Sequence, residues 1–341
     1  MTLIAFETSC DETSVAVVRD GVVLANQVAS QIQLHGEYGG VVPELAAREH
    51  LNNLLPIARA ALDEARISPD QLDAVAATQG PGLAIALLIG LKAAQAVAFA
   101  LSKPFIGINH HEAHLYSPWI AGSPPTADFS NFEPNVSLIV SGGHTLLVLV
   151  DEEMRHRVLG GTIDDAAGEC FDKTGKLMGL AYPAGPVIDE LARQGNPAAH
   201  EFPRPLIHES NDDFSFSGLK TSVRYYLRDH PALLKDPKQV RDLCASVQAA
   251  IVEVLVVKTI RAAKRNGVRC ITASGGVTCN QGLRLGLERA CQKNGFRLRL
   301  ASRNLCTDNA AMIGILAERK LLRGGCVPAL DAEPEPGWAL A

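Results

Sequence analysis

Several marks of common protein classes are missing from this chain of 341 residues. It has no long uninterrupted apolar run: the most apolar stretch, residues 83–101, is broken by Lys92 and Gln95 and reads as a helix that is either wholly buried or keeps one face for docking, not a membrane span. Met1-Thr2-Leu3-Ile4-Ala5-Phe6 carries neither a basic region nor a small-residue cleavage site, so no signal peptide is expected and a cytoplasmic location follows. The eight cysteines lack the paired spacing of a zinc knuckle, and reduced thiols are expected rather than disulfides. Net charge is −5, which argues against broad unaided nucleic-acid binding and leaves a local basic groove or a partner that supplies one. The glycine turn at 80–82 has no Gly-Lys-Ser/Thr after it and is not a Walker loop. Glu112 lies two places after His110, so the zinc-protease helix motif is absent as well.

What is present starts with Asn109-His110-His111-Glu112-Ala113-His114, after the apolar run Phe105-Ile106-Gly107-Ile108. On a helix, His110 and His114 stand at i and i+4 on one face, and two imidazoles so placed can share a divalent metal or simply line an interface. Far along the chain, Cys306-Thr307-Asp308-Asn309-Ala310-Ala311-Met312 opens another helix. Asp308 there is either its N-cap or the carboxylate that completes a His–His–Asp site.

The rest of the chain reads as strand–turn–helix units. Leu3–Glu7, Ser14–Val18 and Val22–Gln27 are strands. The turn Thr8–Thr13 brings hydroxyls and the carboxylates Glu7, Asp11 and Glu12 together, either beside a phosphate or metal or as an ordinary polar turn. His35, Glu44 and His50 flank a Gly39-Gly40 turn and a helix opened by Pro43; they are either ligands or solvated polar residues. Leu72–Thr78 is a strand, and Gln79-Gly80-Pro81-Gly82-Leu83 a tight turn into a helix. Residues 117–134 read as a linker or lobe crossing. After them the opening pattern returns: strand Val136–Val140, turn Ser141-Gly142-Gly143-His144-Thr145, strand Leu146–Val150. That echo, with a length ample for two lobes, predicts a duplicated α/β fold with nucleotide between the halves. An acidic stretch follows with Asp164, Asp165, Glu169 and Asp172 beside Lys173. Phe214-Ser215-Phe216-Ser217 beside Lys220 and Arg224 can stack bases or pack on its own core. A long amphipathic helix spans Val240–Arg265. The strand Cys270–Ser274 then turns through Gly275-Gly276 to Asn280, a turn able to take an adenosine against the backbone at Gly276.

Nine of these motifs, in order and nearly end to end, resemble the tRNA threonylcarbamoyladenosine transferase family, once described as sialoglycoprotein endopeptidases. The resemblance implies the actin/Hsp70/sugar-kinase (ASKHA, RNase H-like) fold, with an N-terminal lobe of residues 1–127 plus 305–341 and a C-terminal lobe of 128–304. It implies one metal ion, Fe2+ ahead of Zn2+, on His110, His114 and Asp308 across the lobe interface. Substrate contacts carry over to Ile139, Val140, Ser141, Gly142, Gly143, Asp172, Gly185 and Asn280. No residue stands out as general base; Asp11, Glu12 and His144 are the candidates. Ala184, Ala47 and Ile85 depart from the family's pattern. The implied reaction moves threonylcarbamoyl from threonylcarbamoyl-AMP to N6 of adenosine 37, beside the anticodon, in tRNAs that read codons starting with A. The implied partners are the tRNA anticodon loop, an inactive paralogue docked on the N-terminal lobe, a small ATPase and an upstream threonylcarbamoyl-AMP synthase. Two other classes compete. A metalloprotease lacks its glutamate, and a kinase- or chaperone-like ATPase would need a phosphoacceptor pocket or peptide-binding domain.

Overall fold

The computed structural model describes residues 1–324 and 330–340, which form two compact units, Met1–Asn131 with Thr307–Leu340, and Phe132–Cys306. In chain order the first holds β1 (Thr2–Glu7), β2 (Glu12–Arg19), β3 (Val22–Ser30), α1 (Ile32–Gly36), α2 (Pro43–Ala65), β4 (Ala74–Gly80), α3 (Ala84–Leu101), β5 (Phe105–Asn109), α4 (His110–Tyr116), β6 (Ile120–Ala121) and β7 (Thr126–Ala127). The second holds β8 (Asn135–Val140), β9 (Thr145–Glu152), β10 (Arg155–Gly161), α5 (Ala167–Leu177), α6 (Ala184–Ala192), α7 (Ser217–Asp229), α8 (Pro237–Arg265), β11 (Cys270–Ser274), α9 (Gln281–Asn294) and β12 (Arg297–Leu300). The chain then returns to the first unit with α10 (Ala310–Leu322).

The two sheets repeat one plan. The first has the order β5-β4-β1-β2-β3-β7-β6 and the second β10-β9-β8-β11-β12. In each, an antiparallel three-strand meander (β1-β2-β3; β8-β9-β10) adds two parallel strands beside its first member (β4, β5; β11, β12). Parallel neighbours need a crossover, supplied by α3 and α9. The echo in the sequence is thus a repeated topology.

β1 is buried on both faces, which explains its unbroken apolar run. Ile4 and Phe6 join Val15, Val17, Leu54 and Leu91 in one core. Leu3 and Ala5 face the other way, where a Cβ on Gly314 of α10 would come within 2.7 Å of Val18 and 3.3 Å of Ala5. Two helices, α3 and α8, are long and apolar enough to cross a membrane by length and composition. α8 is a core helix of its unit. α3 keeps one apolar face uncovered, since it exposes Ile85, Leu88 and Phe99.

Other expectations also change. Within residues 117–134 the chain does cross between the units, after Asn131, but it is no loose linker: β6 and β7 form a hairpin on the β3 edge, and Tyr116 and Trp119 are fully buried. Phe214 and Phe216 are fully buried too, stacked at 6.3 Å, so they pack on their own core and offer no base platform. β10, with its polar Arg155-His156-Arg157, was not legible from alternation alone.

Candidate functional site

The metal candidates all lie in the first unit. β5 delivers the chain to Asn109, whose side-chain oxygen accepts from Glu112 N at 3.1 Å and caps α4. That cap starts the helix one residue before His110, so His110 and His114 point the same way, rings 4.8 Å apart at 88°. The cap of α10 is Asn309, which accepts from Met312 N at 3.1 Å; Asp308 is therefore released from capping. Its Oδ1 sits 3.3 Å from Nε2 of both His110 and His114. The three donor atoms fall within 4.8 Å of one another. The expected placement across the lobe interface is corrected: Asp308 belongs to the returning segment of the same unit.

Glu7, one of the turn carboxylates expected beside a phosphate or metal, stands behind His110. Its Oε2 stands 3.0 Å from His110 Nδ1 and accepts from Thr78 Oγ1, while Oε1 accepts from Ser9 N at 2.5 Å. A carboxylate on the far ring nitrogen fixes the orientation of a ligand histidine and raises its basicity. A carboxylate at a strand end before a hydroxyl-rich turn was the only signal available. Burial pushes the His110 pKa down, but Asp308 and Glu7 outweigh it and hold it well above the usual histidine range. Burial also lowers His114. Burial works to raise Asp308, yet the two imidazoles hold it well below the usual carboxylate range. Two buried imidazoles and one partly buried carboxylate converge, a donor set that fits a single divalent ion.

The other first-unit candidates divide. Asp11 and Glu12 flank the β1–β2 turn; burial, then the charge of Asp11, pushes Glu12 well above the usual range. His35 and His50 are not ligands of this cluster. His50 bonds Thr13 Oγ1 at 2.8 Å and the Cys10 carbonyl at 3.0 Å, and His35 bonds Gln31 Oε1 at 3.1 Å. Both tie loops together. Ala47 is buried and packs as core.

In the second unit, β8 and β11 pair in parallel with Ile139 beside Ser274, so the turns that follow them lie side by side. Ile139 and Val140 have fully buried side chains and can offer only their main chain. Ser141 N donates to the His144 carbonyl at 2.8 Å, and His144 N to Ser141 Oγ at 3.1 Å, closing the turn. A Cβ on Gly142 or Gly143 would meet no atom within 4 Å, so their backbone is open to a ligand. Main chain approaches main chain closely at Gly275. Gly275 has φ +90°, and a Cβ there would sit 2.3 Å from the Val140 carbonyl oxygen.

Asp172 and Gly185 do meet. Asp172 Oδ1 accepts from Ala184 N at 2.8 Å and Gly185 N at 3.3 Å, capping α6 from α5. The departure at Ala184 is absorbed because its methyl packs where a Cβ on Gly175 would stand, 2.1 Å away. Replacing Asp172 by Ala should cost about 0.5–2 kcal/mol, as lost caps do. Thermal melting reads this, and an unchanged melting temperature would contradict the capping role. Asn280 is less free than expected: Oδ1 accepts from Leu283 N at 2.9 Å, capping α9, and Nδ2 donates to Gln248 at 2.6 Å. Asp189 accepts from Gln281 N at 3.1 Å and joins that cap.

With these features in place, the chain can be set beside known proteins. A family model described as TsaD, tRNA N6-adenosine threonylcarbamoyltransferase, matches residues 22–315. Proteins of that name are similar along their whole length. The one from Prosthecochloris aestuarii is 49% identical over 340 residues, 96% of this chain and 96% of the relative. The one from Syntrophotalea carbinolica is 47% identical over 341 residues, 100% and 97%. Among solved structures, HypF of T. kodakarensis superposes with TM-score 0.60 at 14% identity, over 95% of this chain and 48% of that one. Component A of the Acidaminococcus fermentans (R)-2-hydroxyglutaryl-CoA dehydratase gives 0.53 at 14%, over 94% and 99%. At such identity these two show the fold alone, the duplicated actin/sugar-kinase arrangement. The family match and the near full-length relatives agree, and the chain belongs to the tRNA N6-adenosine threonylcarbamoyltransferase family.

Proposed function

We propose that this tRNA-modifying acyltransferase takes threonylcarbamoyl from threonylcarbamoyl-AMP and places it on N6 of the adenosine beside the anticodon, in tRNAs that read codons starting with A. The convergence of His110, His114 and Asp308 in a chain of this family carries the reading. The set of two histidines and one carboxylate suits Fe2+ ahead of Zn2+, and the bound ion would supply Lewis acidity toward the donor's oxygens. The chain's own residues do the rest. The open backbone of Ser141, Gly142 and Gly143 binds the phosphate or carbamoyl end of the donor. The turn from Gly275 to Asn280 binds its adenosine, and Asp172 fixes Gly185 beside α5. The amine nitrogen attacks the carbamoyl carbon, the carbon–oxygen bond to phosphate breaks, and AMP leaves. The N6 proton passes to a base, for which Glu12, Asp11 and His144 are the candidates. An adenine amine is a weak nucleophile, so orientation and carbonyl polarisation carry most of the acceleration.

This reading places the protein in the cytoplasm, with partners. α2 and α3 leave an apolar groove of about 550 Å³ lined by Leu51, Leu55, Leu88 and Val97 among others. Leu51 is 67% exposed, Leu55 59% and Phe99 75%. An apolar face of this kind is a docking surface, and we assign it to the inactive paralogue. A small ATPase resets the complex, and a separate synthase supplies the donor. The isolated chain should bind tRNA weakly and turn over many times only with its partners. Nucleoside analysis of tRNA incubated with donor tests both. Sustained turnover by the single chain at physiological salt would contradict the partner requirement, and unmodified tRNA in the complete mixture would contradict the activity.

A further inference from the structure

We propose that the edge of the second unit built by β12 and by the ends of α8 and α9 holds the phosphate backbone of the tRNA. The proposal rests on the tRNA-modifying reading above and adds to it a surface. Residues 258–303 contain eleven Lys and Arg and one acidic residue, Glu288, in a chain of net charge −5. The overall charge therefore hides a strong local excess of positive charge, and its placement decides what that excess does.

Four of the cations are spent inside the unit, Arg265 among them through Asp212 and the Ser210 carbonyl. Lys258 is buried, with Nζ 3.1 Å from the Asn211 carbonyl. Arg261 donates to the carbonyls of Ile207 and Asn211, and Arg284 to those of Thr278 and Ala301. Others face water. Lys264, Arg269, Arg289, Lys293 and Arg303 are exposed, and among the described residues none has a carboxylate within ion-pair distance.

The topology gathers them. β12 is the edge strand of its sheet. β11 and β12 run parallel, with Arg297 N bonded to the Arg269 carbonyl at 2.8 Å, so both strands start together. α8 leads into β11 and brings Lys264 to that end; α9 leads into β12 and brings Arg289 and Lys293. Arg297 and Arg299, two residues apart along the edge, lie about 6.6 Å apart, close to the spacing of neighbouring backbone phosphates. Arg303 follows the opposite end of β12, where β11 runs into the Gly275 turn. The cations thus run the length of the edge toward the strand ends that carry the proposed donor site.

Two plainer roles explain part of this. Basic residues on an edge strand prevent pairing with another sheet, which accounts for Arg297 and Arg299. Cations in the last turn of a helix complement its carbonyls, which accounts for Lys264 and Lys293. Neither explains Arg269, Arg289 and Arg303, nor the near absence of acids among them. The exposed pair Arg297–Glu133 is a surface ion pair that a phosphate can replace. Arrays of this kind bind phosphate without reading bases.

The test uses the full chain with Lys264→Gln, Arg269→Gln and Lys293→Gln combined. A control combines Arg155→Gln, Arg157→Gln and Arg228→Gln, equal in charge change and likewise exposed in the second unit. Fluorescence anisotropy with unmodified tRNA at several salt concentrations reads affinity and salt slope, and the modification assay with partners reads kcat and KM. The edge variant should lose about 2–3 units of log–log salt slope and bind tRNA about tenfold or more weakly. Its KM for tRNA should rise while kcat, affinity for threonylcarbamoyl-AMP and melting temperature hold, and the control should match the wild type. An edge variant equal to the control in slope and KM overturns the surface. A wild-type chain that leaves tRNA unmodified even with its partners overturns the functional reading itself.

Discussion

Replacing His114 by Ala should empty the metal site and reduce threonylcarbamoyl transfer by at least about 100-fold without unfolding the chain. The expectation follows from the geometry. Asp308 Oδ1 stands 3.3 Å from both imidazoles, and Glu7 reaches only the far Nδ1 of His110. The remaining pair, His110 and Asp308, cannot hold an ion tightly alone. The short helix α4 would survive, because its cap comes from Asn109 and its other side chains stay buried. His110→Ala should do the same. Glu7→Gln should weaken metal binding by about 10–100-fold, since it removes only the partner that orients His110. Elemental analysis and a melting curve on each variant decide this; full occupancy in both histidine variants would remove the assignment.

Metal binding should also depend on pH, and the sign can be worked out. His110 in the metal-free chain has its pKa raised well above the usual value, chiefly because Asp308 and Glu7 outweigh its burial. It keeps its proton to higher pH than an ordinary histidine, and the ion must displace that proton. Apparent affinity should therefore fall as pH falls, by about tenfold per pH unit for one competing proton. The same raised pKa means that the imidazolium–carboxylate cluster stabilises the metal-free fold below the ordinary histidine pKa. That stabilisation disappears as pH rises through the raised value.

The second large effect is at Gly275. A valine there would have to adopt φ +90°, and its Cβ would lie 2.3 Å from the Val140 carbonyl oxygen and 2.6 Å from its carbon. Strain of about 1–3 kcal/mol adds to an overpacking cost of about 1–3 kcal/mol. The contact is with backbone at the end of β8, so no side chain can swing away. The β8 and β11 ends must separate, and with them the turns Ser141–Gly143 and Gly275–Asn280. Gly275→Val should lower the melting temperature by roughly 5–15 °C and abolish binding of a non-hydrolysable adenylate analogue. A valine variant that melts and binds like the wild type would show that these turns are not held together in this way.

Much of this architecture could be read along the chain because its signals are local. Strand–turn–strand alternation located β1, β2, β8 and β9, and Pro43 marked the start of α2. The i, i+4 histidines were legible for the same reason, as helix period and ligand spacing coincide. Asp308 was ambiguous by itself: an acid before a helix is usually its cap, and only Asn309 taking that place resolves the choice. What was illegible depends on distant packing. The segment Ala332–Trp338 lies along the β4–α3 corner, where Glu335 N donates to the Gln79 carbonyl at 2.8 Å and Asn109 Nδ2 to the Trp338 carbonyl at 3.2 Å. Main-chain bonds of that kind leave no periodic trace. Lys92 and Gln95 interrupt the apolar run of α3 because both donate to the Ala332 carbonyl, not because the helix ends. Composition left the face of α3 undecided between buried and docking, since a covered and an uncovered apolar face look alike. The charge of the β12 edge was masked by averaging over the chain, whereas Lys220, beside the phenylalanines, is tied to Asp165.

The central claim is that His110, His114 and Asp308 serve threonylcarbamoyl transfer to tRNA. The most direct measurement supplies carbon-labelled threonylcarbamoyl-AMP and unmodified tRNA to the metal-loaded chain with its partners, and to Asp308→Ala prepared alongside. Mass spectrometry of the digested nucleosides then reads the label. The account predicts labelled threonylcarbamoyladenosine at the adenosine beside the anticodon, matched by AMP release in the wild type, and a loss of at least about 100-fold in the variant. Equal label in both proteins, with the variant free of metal, would contradict it.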